Sequence, residues 1–137
     1  MSGPAFDPAV LLRSEQSGGH VSAIEVEVPP GWPGPPLHRH DFDETFYVLA
    51  GELSFQLGEV RRTAAAGELV FAPRNVAHTL ANHSEAPARY LLVCTPAGFE
   101  RYFGRAEAER RGVEPPAWTE GPIPPVETLG PQLEPLD

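Results

Sequence analysis

The chain has 137 residues, a length usual for one domain. Its hydrophobic content of 41% supplies a core, but no apolar run is long enough to cross a bilayer as a helix. The net charge of −9 argues against a nucleic-acid surface, and with every basic residue an arginine there is no lysine for Schiff-base chemistry.

Three segments separate along the chain, with boundaries predicted at 1–19, 20–112 and 113–137. The opening Met-Ser-Gly-Pro carries neither a basic patch nor an apolar stretch, so no signal peptide is read there and a cytoplasmic location is the expectation. Pro8 to Arg13 reads as a short helix or turn, followed by a Ser/Gly-rich connection. His20, just after Gly18-Gly19, reads as a surface residue.

The middle segment is strand-rich. Val21 to Val28 alternates apolar and polar residues, as a half-buried strand does, and Pro29-Pro30-Gly31 stops it. Next comes His38-Arg39-His40. Alternate side chains of an extended chain share a face, so His38 and His40 can both point inward while Arg39 points out. After Asp41-Phe42-Asp43, Glu44 opens the aromatic and β-branched run Glu-Thr-Phe-Tyr-Val-Leu, a strand. If Glu44 points inward, so do Phe46 and Val48. That puts a carboxylate beside two imidazoles, with an apolar wall next to it. Gly51 ends the strand at a tight turn.

Leu53 to Leu57 alternates again, Gly58-Glu59 is a hairpin turn, and Val60 to Thr63 returns. Gly67 to Pro73 is a turn, a buried strand and a stop. Asn75 suits the next turn because Asn tolerates left-handed backbone. His78, Leu80 and Asn82 then share one face of a strand, which points the neighbouring His83 away as an exposed loop residue. Arg89 to Thr95 is a late strand in which the lone cysteine, Cys94, is a small core residue. Many short strands at even spacing indicate a sandwich or barrel.

Beyond the strands, Phe99, Tyr102 and Phe103 fall on one helical face, read as an amphipathic helix capping the open end of the barrel in preference to a dedicated substrate lid, with Glu107 to Arg111 extending it to Gly112. From Val113 onward there are seven prolines, five acids and no base. Such a tail makes neither ordinary helix nor central strand. Trp118, Ile123, Val126 and Leu129 are its candidate anchors, and no metal ligand is expected from it.

The two motif stretches resemble those of the cupins. The first has His-x-His, a three-residue gap, Glu, a six-residue gap and Gly, as His38, His40, Glu44 and Gly51. The second has Gly, Pro, His and Asn at the family spacing, as Gly67, Pro73, His78 and Asn82. Two positions depart from the pattern: Trp32 stands where a glycine usually opens the first motif, and Asn75 replaces the usual glycine of the second. The resemblance covers residues 31–82 and implies a barrel from roughly 20 to 103.

It implies an all-β fold, a double-stranded β-helix of the jelly-roll type, with a short C-terminal helix and an extended proline-rich tail. It also implies one divalent transition metal per chain (Fe, Mn, Ni, Co, Zn or Cu) held by His38, His40, Glu44 and His78. These nitrogen and oxygen donors suit several first-row metals, and an octahedral ion would keep two positions open. Glu44 can ligate or take a proton, and Phe46, Val48 and Leu80 would wall the substrate pocket. Small members of the family look like dioxygenases, including the quercetinase-like group. Others are polyketide cyclases, isomerases or sugar-related enzymes, and a pocket that senses a ligand without turnover is the alternative from another class. The partners expected are a small-molecule substrate and a second copy of the chain, with no nucleic acid and no membrane. The homodimer expectation follows from the family and from Thr45, Tyr47 and Leu49, which should form an outward stripe.

Overall fold

A computed structural model describes residues 7–136. The N-terminal Met-Ser-Gly-Pro lies outside the described residues. Among the described residues, ten strands form two five-stranded antiparallel sheets that face each other. The first holds β1 (Asp7–Leu12), β2 (Ser22–Val28), β9 (Ala88–Thr95), β4 (Asp43–Ala50) and β7 (Leu69–Ala72), in that spatial order. The second holds β10 (Val126–Gln132), β3 (Pro36–His40), β8 (His78–Ala81), β5 (Glu52–Leu57) and β6 (Val60–Ala65). This is the jelly-roll, double-stranded β-helix architecture expected from strand spacing and motifs.

Period-two alternation builds the core. Ile24, Val26 and Val28 from β2, Phe46 and Val48 from β4, Leu53 and Phe55 from β5, and Tyr90 and Leu92 from β9 all turn inward and are buried. Cys94 is fully buried among them, and burial pushes its thiol well above the usual range, so it is a core residue and not a reactive one. The alternate residues Thr45 and Tyr47 turn outward on β4, with Leu69 and Phe71 beside them on β7.

Two turns depend on backbone geometry that their residues permit. Gly34 has φ +73, and a Cβ there would sit 1.7 Å from the carbonyl oxygen of Leu80, so nothing larger fits between β8 and the chain entering β3. Asn75, at φ 65, takes the left-handed conformation for which a glycine is usual, and its N–H donates to the carbonyl of His40 at 2.7 Å. The motif residue Asn82 is fully buried and acts as a pin. Its amide donates to Pro29 and Ala86 carbonyls, and its oxygen accepts from Ser84.

The N-terminal segment corrects its sequence reading. Pro8 to Arg13 was expected as helix or turn, yet Asp7–Leu12 is a strand paired with β2. Its local composition carries no strand signal; the free edge of β2 supplies the hydrogen bonds, and Pro8 is tolerated because β1 is itself an edge. A single helical turn, α1 (Ser14–Ser17), follows. The buried carboxylate of Glu100 accepts from the backbone N–H and hydroxyl of Ser14 and from the N–H of Gly98, tying this turn to the start of the C-terminal helix.

That helix, α2, runs unbroken over Glu100–Arg111 and ends on Gly112 in left-handed conformation. Beyond it the tail is ordered: a 3₁₀ turn at Ala117–Thr119, then β10 on the outer edge of the second sheet beside β3. Pro131 is tolerated there because β10 is an edge strand and its pairing with β3 is irregular between Thr128 and Gln132. Of the expected anchors, Trp118 lies against Gly104 of α2 and Ile123 reaches the interior, whereas Val126 and Leu129 stay 42% and 41% exposed. The side chain that buries most fully from the end of the tail is Leu133, 6% exposed. His83, expected to be an exposed loop residue, is half-buried and bonds the carbonyl of Leu133. Among the described residues no helix is long and apolar enough to cross a membrane.

Candidate metal centre

Three strands deliver the four expected ligands to one point. His38 and His40 come from β3, with His78 directly opposite His38 on β8. Glu44 comes from β4 in the facing sheet. Their ligand atoms all lie within 4.8 Å of one another. Ligands about 2.1 Å from a first-row metal and at right angles to each other sit ~3.0 Å apart. The Nε2 atoms of His40 and His78 lie 3.0 and 2.7 Å from Glu44 Oε1, close to that spacing.

The hydrogen bonds set the tautomers. Nδ1 of His38, His40 and His78 lies 2.7, 3.0 and 2.9 Å from the carbonyl oxygens of Pro36, Phe42 and Val76. A carbonyl only accepts, so Nδ1–H donates and each Nε2 presents its lone pair to the centre. Two such lone pairs within 3 Å of a carboxylate oxygen require a cation among them. Without a metal that cation is a proton. Burial alone would raise Glu44, but the hydrogen bonds from His40 and His78 outweigh it and hold the carboxyl at about 2. Burial would likewise lower His78, but its bond to Glu44 lifts it above the usual imidazole value. His38 is lowered, chiefly by burial and in part by the neighbouring His78. A buried carboxylate facing three oriented imidazole lone pairs is a donor set that fits a first-row metal.

Packing holds the ligands in place. The His40 ring stacks on Phe42 at a centroid distance of 3.6 Å, and Phe42 in turn packs on Phe99. The outer edge of β3 is covered by β10, in a register that sets Val126 opposite His40 and Thr128 opposite His38. Arg39, pointing out as expected, pairs with Glu127 of β10.

A cavity of about 550 Å³ opens onto His38, Glu44 and His78. Phe46 and Leu80 line it, as expected. Val48 does not: it is fully buried in the core, one inward step further along β4 and covered by the opposing sheet. Most of the remaining wall escaped the sequence reading. Trp32, the residue standing in place of the motif glycine, borders the cavity, as do Tyr90 and Leu92 of β9. Alternation in the late strand could have revealed Tyr90, since Leu92 and Cys94 share its face. Phe99, Tyr102 and Phe103 form the roof, so the helical cap of the barrel is also a cavity wall. Ile123, Pro124, Val126 and Thr128 add a side made by the tail. No ligand comes from the tail, but its contribution to the cavity had no signal in the sequence.

The fold and the site together define a jelly-roll barrel with a His₃Glu cluster able to hold a metal. A family model for the cupin domain matches residues 24–94, and the chain belongs to the cupin family. Among solved structures, it is similar to the TT1209 protein from Thermus thermophilus, with a TM-score of 0.61 and 26% identity over 69% of this chain and 87% of that one. It is also similar to a predicted oxalate decarboxylase from Thermotoga maritima, with a TM-score of 0.63 and 25% identity over 66% of this chain and 80% of that one. A curated relative, endoribonuclease YbeY of Myxococcus xanthus, is 36% identical over 77 residues, 56% of this chain, and the match spans 26% of that protein's length.

Proposed function

We propose that the protein is a metal-dependent enzyme acting on a small aromatic or enolic substrate, with dioxygenase chemistry as the leading reaction. The observation that carries this reading is an apolar, largely aromatic cavity opening directly onto His38, Glu44 and His78. A first-row metal held by these residues and His40 would supply Lewis acidity and, if redox-active, dioxygen chemistry. The chain's own residues do the rest. The ionised Glu44 ligates or accepts a proton from a substrate hydroxyl. Phe46 and Leu80 hold the apolar body of the substrate, and the roof of Phe99 and Phe103 keeps water from the reacting end. The charge of −9 and the lack of lysine oppose binding of RNA, a polyanion.

The test is metal analysis of the protein from its native host, followed by oxygen uptake with catechols, flavonols and diketones. Metal-dependent oxygen consumption matched by substrate loss is the expected result. Conversion of the same substrates under nitrogen would replace dioxygenase by a redox-neutral cyclase or isomerase, and tight binding without turnover would make the pocket a sensor.

The same reading includes a homodimer formed through the outer face of the first sheet. Its support is the exposure of Tyr47, Leu69 and Phe71, at 40%, 51% and 49%, side by side on β4 and β7. Light scattering should give twice the chain mass at micromolar concentration; a monomer would remove this part of the proposal.

A further inference from the structure

The cavity wall sorts ligands by charge. Among its lining residues, the only ionisable groups besides the tyrosines are the candidate ligands His38, Glu44 and His78. No arginine borders it, and the chain has no lysine. A carboxylate or phosphate placed away from the metal would be buried without a counter-charge, which is costly. Trp32, Phe46 and Phe99 give the wall aromatic surface, which suits an aromatic ligand.

Besides the exposed Tyr102 and Thr128, the wall carries the hydroxyl of one deeper residue, Tyr90. Tyr90 projects inward from β9, is 2% exposed, and lines the cavity. It packs beside Phe46 at a centroid distance of 5.8 Å, yet its hydroxyl makes no hydrogen bond to a described residue. That hydroxyl opens onto the cavity and is not sealed in the core, so a ligand oxygen that reaches it can accept its hydrogen bond.

We propose that the site selects planar aromatic chelators that carry no charge away from their chelating oxygens, and that Tyr90 positions them by donating a hydrogen bond to an uncharged oxygen at their far end. This rests on the metal-dependent reading above and narrows its substrate class. It assigns to Tyr90 a positioning role toward the ligand, distinct from the metal ligands.

Three bicyclic catechols with the same chelating end test it on zinc-loaded protein, where no turnover occurs: 2,3-dihydroxynaphthalene, 6,7-dihydroxycoumarin and 6,7-dihydroxynaphthalene-2-sulfonate. The sulfonate should bind at least about tenfold more weakly than the plain naphthalenediol, because its charge has no partner in the wall. Tyr90→Phe should weaken the coumarin, with its distal carbonyl, by roughly three- to tenfold and leave the naphthalenediol within about twofold. Zinc content, measured on the same samples, should not change in the variant. A sulfonate that binds as tightly as the plain diol overturns the charge selection. Equal loss for both neutral catechols in Tyr90→Phe reduces Tyr90 to a packing residue, and no loss for either removes its role. Wild-type protein that takes up neither zinc nor any other first-row divalent transition metal overturns the metal reading itself, and this inference falls with it.

Discussion

His78→Ala is expected to lose most of its bound metal while keeping the barrel, and His40→Ala to do the same. Each removes one of four donors. The loss should exceed the ~10–100-fold that follows when only an outer hydrogen-bond partner of a ligand is removed. The metal-free fold is also affected, because Glu44 is 4% exposed and its Oε1 lies 3.0 and 2.7 Å from Nε2 of His40 and His78, its hydrogen-bonding neighbours. Removing one donor from this buried carboxylate should cost about 1–3 kcal/mol. His40→Ala further removes the ring stacked on Phe42. Elemental analysis of the purified variants, with circular dichroism to establish folding, checks the prediction; full metal retention in either would count against the site.

Acid should act in the same direction. Metal binding requires neutral imidazoles, so affinity must fall as protons compete for Nε2. The bond to Glu44 holds the proton of metal-free His78 above the usual value of 6.5, so the decline begins from above that pH and deepens below it. Glu44, held at about 2, stays ionised throughout this window and does not contribute to the change. A metal affinity that stays level between about pH 8 and pH 5, the range in which imidazoles titrate, would contradict this account.

Truncation after Gly112 is expected to separate metal from substrate. All four ligands lie on β3, β4 and β8, so a folded truncated protein should keep its metal. It should lose affinity for aromatic ligands, since Ile123, Pro124, Val126 and Thr128 form one side of the cavity. Stability should fall as well. Burial of Leu133 alone is worth about 1.5–3 kcal/mol, and β3 becomes an open edge that invites aggregation. Metal analysis, ligand titration and thermal melts read these effects separately. A truncated protein that folds yet binds no metal would overturn the assignment of the ligands to the barrel alone, and one that binds aromatic ligands as before would remove the tail from the cavity.

The ligand set was legible in the sequence because it depends on local rules. Period two in a strand places His38 with His40 and Glu44 with Phe46, and the motif spacing fixes where the strands begin and end. The same alternation identified the core faces of β2, β4 and β5, and turn residues such as Gly51 and Asn75 marked their ends. Failures came where a segment's neighbours, not its own pattern, decide its state. Pro8 to Arg13 has no strand signature of its own and became β1 because β2 offered an edge. Val48 obeys the alternation, but whether an inward residue meets cavity or core depends on how the facing sheet covers it. The tail carries no periodicity, since proline suppresses it, and only the free edge of β3 turned Val126–Gln132 into a strand beside the candidate ligands. Sequence alone therefore determined the barrel and the donors, which follow from short-range geometry. The tertiary structure decided the cavity, because its walls come from Trp32, β9, α2 and the tail, and no local rule brings such distant residues together.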